Sequence, residues 1–187
     1  MVSIGQHITI AALAAGTACV PAHAALVQFM HTFMNTSSTT QEFVFVAVSD
    51  VAYSGESLFS IRGSLALNLA DMNGNGATVG TAMLPMYVAE IGTPGTNVVQ
   101  TIWNEPWSFS VGSYGNGVPP DQAFLAANVA VTPQAVQPLT VTIRLRLSGR
   151  DMVTVAGSFE AVPIPAPGAM SLPALAGAFG IGRRRRR

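Results

Sequence analysis

Lysine is absent from this 187-residue chain, cysteine occurs once, and only 10% of the residues are charged. Without lysine every basic residue is arginine, and five of the nine arginines stand at the very end. Setting those five aside leaves Arg62, Arg144, Arg146 and Arg150 against nine acids, a net charge of −5 for the body. An acidic surface with no lysine excludes nucleic acid and anionic lipid as natural partners. The lone Cys19 allows no internal disulfide, so the fold must stand on packing. Helical spacing of apolar residues is almost missing, and no phosphate loop, nucleophile elbow or His/Cys/Asp metal spacing occurs.

What is present begins at the two ends. Residues 8–20 are apolar and rich in small side chains, and Ala22-His23-Ala24 supplies the small-x-small pattern that signal peptidase accepts. The predicted cut follows Ala24, which removes Cys19 and leaves His31 as the only histidine. A lipoprotein would need a large aliphatic residue three positions before Cys19, where Gly16 stands. At the other end, Pro165-Ala166-Pro167-Gly168 precedes 14 mostly apolar residues, 169–182, and then Arg183, Arg184, Arg185, Arg186 and Arg187. About 20 apolar residues span a bilayer as a helix. This stretch is shorter and contains Pro173, so it suits a transient anchor, with the arginines held on the anionic cytoplasmic face.

This order of Pro-x-Pro, short apolar segment and arginine-rich end resembles the PEP-CTERM sorting signal. The resemblance covers roughly the last twenty-five residues. Family members commonly carry Glu between the prolines where this chain has Ala166, a form similar to planctomycete-like members. The resemblance implies export and removal of the tail by an exosortase, a membrane protease. It also implies a setting at the cell surface, with exopolysaccharide as a possible associate. A sortase signal fits less well, because Leu172-Pro173-Ala174 is not followed by Thr-Gly.

Between the ends, residues 25–162 alternate. Leu139, Val141, Ile143, Leu145 and Leu147 share one face, and Thr140, Thr142, Arg144, Arg146 and Ser148 share the other. That period of two marks a half-buried strand. Residues 148–151 then read as a hairpin turn into a strand over 152–161. Further strands are predicted over 26–34, 42–49, 58–69, 77–89, 97–103 and 107–114, with a short helical turn over 121–127. Turn signals at this spacing predict a single antiparallel all-β sandwich, jelly-roll or Ig-like. A signal helix (1–24) and a short hydrophobic helix within 163–187 would flank it. The polar opening at 35–39 and the late Leu-rich strand followed by Gly-Arg-Asp are similar to other small exported proteins bearing such a tail.

The body carries residues suited to three chemistries. Asp71-Met72-Asn73-Gly74-Asn75-Gly76 opens like a calcium loop, with oxygen ligands at Asp71, Asn73 and Asn75 and glycine at the sharp turn. The twelfth position, where a bidentate acid belongs, is Ala82, and Asn-Gly is equally a β-turn signal. Trp103 and Trp107 flank a proline-containing loop and are candidates for stacking on sugar rings, although tryptophan in a small β-domain more often packs. A hydrolase would have to assemble Glu90, Glu105 and Asp121, or use His31, without any local motif. The sequence therefore favours a non-catalytic exported protein without a cofactor; a calcium- or carbohydrate-binding module is the alternative. It also predicts that Ile143→Asp unfolds the domain while Thr142→Asp is tolerated.

Overall fold

The computed structural model describes residues 24–164 apart from Ala82. The signal segment with Ala22, the twelfth loop position Ala82, the sorting motif and the terminal arginines lie outside the described residues, as do both predicted flanking helices. Eleven strands make up the fold, with no helix among the described residues. They are β1 (Ala25–Met34), β2 (Gln41–Tyr53), β3 (Leu58–Asp71), β4 (Ala77–Gly80), β5 (Tyr87–Ile91) and β6 (Val98–Ile102). After these come β7 (Ser108–Val111), β8 (Asn116–Gly117), β9 (Gln122–Ala130), β10 (Gln137–Leu147) and β11 (Asp151–Pro163).

Two antiparallel sheets face each other. The first runs β1-β11-β3, and both β8 and β9 pair with the far side of β3. In the second, β2 pairs with one side of β10, and β5 and β4 share the other. Beyond them β6 pairs with β5, and β7 with β4. The period-two pattern explains the core between the sheets, since alternate residues of each strand point inward. Leu139, Val141, Ile143, Leu145 and Leu147 are all fully buried, and so are Phe59, Leu65 and Leu69 of β3 and Val153, Val155 and Phe159 of β11.

Two glycines hollow the inner face of the first sheet. A Cβ on Gly157 would lie 2.6 Å from the Phe29 ring, and one on Gly63 would lie 2.5 Å from the Phe124 ring. Both rings can therefore turn into the core. The hydroxyl of the buried Tyr87 crosses from the second sheet and donates to the Ser158 carbonyl at 3.1 Å.

Several expectations change. The turn at 148–151 does not close a hairpin: β10 and β11 belong to different sheets. Each strand already has a ladder on both sides, β10 with β2 and β5, β11 with β1 and β3, so neither has an edge for the other. Alternation cannot distinguish a hairpin from an arch between sheets, because both keep the same face inward. Residues 121–127 are strand β9, not a helical turn, because β3 extends beyond β8 and offers that length for pairing. The strand expected over 77–89 is divided into β4 and β5, with Met83 at φ +64° in the break. Thr140 and Thr142, expected on a solvated face, are 1% and 5% exposed. Both lie on a central strand; Val46 and Val88 flank Thr142 in register.

Candidate functional site

Four of the connections that cross between the sheets, β1–β2, β3–β4, β7–β8 and β10–β11, meet at one end of the sandwich and are tied to one another. Asn35, closing β1, is 2% exposed, and its Nδ2 donates to the carbonyls of Thr39, Leu147 and Ser148 at 2.8–2.9 Å. Its backbone N–H donates to the Asp151 carbonyl at 2.9 Å, and its Oδ1 accepts the Ser37 N–H. Across from it, Ser148 Oγ bonds the Asp151 carboxylate and also accepts the Thr78 N–H. Asn73 Nδ2 reaches the Gly149 carbonyl at 3.0 Å. Three of these arches are thereby joined, and a bond from the Tyr114 N–H to Asp71 brings in the fourth.

Asp71 is the centre of the arch from β3 to β4. Its Oδ1 accepts the N–H groups of Asn73 and Gly74, and its Oδ2 those of Gly76 and Tyr114, at 2.7–3.1 Å. A carboxylate has about four lone-pair sites, and here four backbone donors use them. Burial alone would raise its pKa; the four N–H bonds outweigh burial and hold it at about 2 instead of 3.8. A cation at Asp71 would have to displace these donors. Asn73 points its amide nitrogen at Gly149, and its Oδ1 accepts the Asn75 N–H. Glycine is required at Gly74 and Gly76, whose φ values are +83° and +86°. Among the described residues no three of His, Cys, Asp and Glu are grouped as a metal's ligands would be. Of the residues singled out for calcium, Asp71 and Asn73 fasten one stretch of backbone to another.

Trp103 and Trp107 do meet. Their indoles stack face to face, with centroids 4.4 Å apart and planes 16° from parallel. Both are half-buried against the margin of the core, so each ring turns one face to the other. The Trp107 carbonyl accepts the Thr81 N–H, and the Trp103 carbonyl accepts the Met86 N–H. The loop is therefore held to the segment between β4 and β5. A sugar platform needs exposed aromatic faces lying side by side, whereas here one face of each indole is spent on the other.

The remaining candidates are dispersed. His31 points inward from β1, stacked on Phe45 at 4.9 Å and edge-on to Phe33 at 4.6 Å. Glu90 is buried and accepts the Gly95 N–H, closing the turn from β5 to β6. Glu105 and Asp121 are exposed on separate loops. A shallow groove of about 550 Å³ crosses the outer face of the first sheet beside Arg62 and Glu160, whose charges are joined at 2.6 Å.

Comparison with known proteins adds little. No family model matches the chain, and no curated protein matches it. Among solved structures it is similar to a chain of Desmodium yellow mottle tymovirus, with 12% identity over 87% of this chain and 100% of that one, at a TM-score of 0.33. It is also similar to a chain from the Gt strain of infectious bursal disease virus, at 11% identity and a TM-score of 0.32. That match covers 94% of this chain and 53% of the viral one, so this chain spans about half the viral chain's length.

Sequence reasoning missed Asn35, Asp151 and Tyr53. Tyr53 Oη accepts the Ala25 N–H and donates to the Ala161 carbonyl, both at 2.6 Å, joining the start of β1 to the end of β11. A tyrosine closing a long alternating stretch was the available signal, since its hydroxyl needs a partner wherever the ring packs inward.

Proposed function

We propose that residues 25–164 are the non-catalytic body of an exported cell-surface or extracellular-matrix protein, delivered by a signal peptide and a PEP-CTERM-like tail. The observation that carries this reading is how the body ends. Strand β1 starts at Ala25, directly after the proposed cut at Ala24, and β11 stops at Pro163, just before Pro165. Ala25 and Ala161 are partners across one ladder, so both attachments leave from the same end of the sandwich. The arches tied through Asn35 and Asp71 occupy the opposite end, and all eleven strands lie between the two proposed cuts, so removing either attachment takes no strand or arch with it.

The strand order adds a finer reading. The order β1-β11-β3-β9 facing β2-β10-β5-β6 supports the jelly-roll reading over the Ig-like one, because a double Greek key arranges its eight strands this way. Exosortase is the proposed processing partner, and exopolysaccharide the proposed surrounding. The body's net negative charge argues against nucleic acid. Each guanidinium moved into hydrocarbon costs about 2.5–3.5 kcal/mol on insertion scales, so Arg183 to Arg187 would halt the tail in the bilayer long enough for cleavage.

Mass spectrometry of the surface fraction tests this. The expected product begins at Ala25 and ends near residues 165–168. Extracellular protein that still ends at Arg187 would refute the processing, and replacing the five arginines by serine should release uncut chain.

A further inference from the structure

Among the described residues the sandwich has one edge strand without the usual guards against pairing. Edge strands normally carry charge, proline or a bulge, or are kept short. The far edge of the first sheet is divided between β8 and β9, with a register shift on β3 at Phe59/Ile61. The far edge of the second sheet is divided between β6 and β7. On the near side, β2 carries Glu42 and Asp50 at either end of the exposed Val44, Val46 and Val48. Strand β1 has none of these devices. Its ten residues contain no Asp, Glu, Lys, Arg or Pro, and its register with β11 runs unbroken from Ala25↔Ala161 to Met34↔Met152. Among the described residues its other side has no ladder partner.

We propose that β1 pairs antiparallel with β1 of a second copy of this chain, about a two-fold axis at Met30, so that the first sheet runs through both subunits. The occupant follows from the order of residues on the outer face, where Leu26, Met30 and Met34 are 47%, 75% and 55% exposed. With Met30 opposite itself, Leu26 faces the partner's Met34 and Gln28 faces the partner's Thr32. Apolar meets apolar and polar meets polar. On the inner face Val27 meets the partner's Phe33, and Phe29 meets the partner's His31. A shift of two residues would set Gln28 against the partner's Met30 and leave Met34 beyond the end, so the matched register is also the longest. No like charges are brought together along β1, whereas β2 paired to itself about Val46 would oppose Glu42 and Asp50. The symmetric contact closes on itself and stops at two subunits. This proposal is independent of the sorting signal.

Sedimentation velocity of the full chain in a non-ionic detergent tests it, with Met30→Lys and Met30→Glu made separately. The wild type should sediment as a dimer. Each variant sets like charges against each other at the axis and should raise the dissociation constant at least about tenfold. An equimolar mixture of the two variants should dimerise again, which only a residue facing itself can produce. A wild type that is monomeric at high micromolar concentration overturns the proposal, as does a dimer indifferent to both variants. Failure of the folded variants to associate when mixed also overturns it. Should either position-30 variant not fold by circular dichroism, Gln28→Lys with Thr32→Lys places like charges in both flanking pairs, and a persisting dimer then refutes the register.

Discussion

Ile143 lies at the centre of the fully buried row on β10, opposite Phe45 on one side and Tyr87 on the other. Truncating it to alanine removes three carbons from a site with no solvent exposure. At about 0.8 kcal/mol per buried methylene, transfer alone costs roughly 2.4 kcal/mol. Phe45 and Tyr87 are held by their own ladders, so the space closes only in part and a cavity cost adds to this. The total should fall in the upper part of the roughly 2–5 kcal/mol found for such truncations, and Ile143→Val should cost about 0.5–1.5 kcal/mol. For a domain of this size about 3–5 °C is lost per kcal/mol, so Ile143→Ala should melt roughly 10 °C or more below the wild type. The control is Val46→Ala on the outer face of β2, a residue 42% exposed, which should cost no more than about 1 kcal/mol. Thermal melts followed by circular dichroism decide the matter. Equal losses for Ile143→Ala and Val46→Ala would refute the inward assignment of β10. Thr142→Asp, judged tolerable from alternation alone, is now expected to destabilise because Thr142 is buried between Val46 and Val88.

Two further outcomes follow from the polar contacts. Asp71 has a folded-state pKa below its unfolded value, so the stability it adds is full above about pH 4 and is lost as pH falls towards about 2. Asp71→Asn should lower the melting temperature at pH 7 and flatten its fall across that acid window; an unchanged acid limb would show that the carboxylate does not hold the arch. Tyr53→Phe strips partners from the buried Ala25 N–H and Ala161 carbonyl and should cost about 1–3 kcal/mol in denaturant titration. Burial first, then the nearby Glu160 and Glu56 charges, raise the Tyr53 pKa against the opposing Ala25 bond. Its contribution is thus complete below pH 10 and declines as pH rises further, and a Phe variant with the same alkaline melting curve as the wild type would contradict this.

The all-β class and the inward row of β10 were legible in the sequence because side-chain alternation is a local consequence of strand geometry, visible without knowing any neighbour. Turn positions were legible for a similar reason, since glycines such as Gly74 and Gly76 adopt backbone angles that other residues resist. The partners of those strands were not legible. Whether residues 148–151 close a hairpin or cross between sheets depends on which ladders β10 and β11 already carry, and only the assembled chain decides that. The same holds for the candidate sites. Asp71-Met72-Asn73-Gly74 reads alike as a cation loop or as a backbone clasp, and what separates them is that four N–H groups, one of them the distant Tyr114, point at the carboxylate. Likewise Trp103 and Trp107 are close in sequence either way, and the stacking of one ring on the other was settled by the fold of the loop that carries both. Composition and period are written along the chain, whereas pairing across sheets and the direction of donors are properties of distant segments brought together.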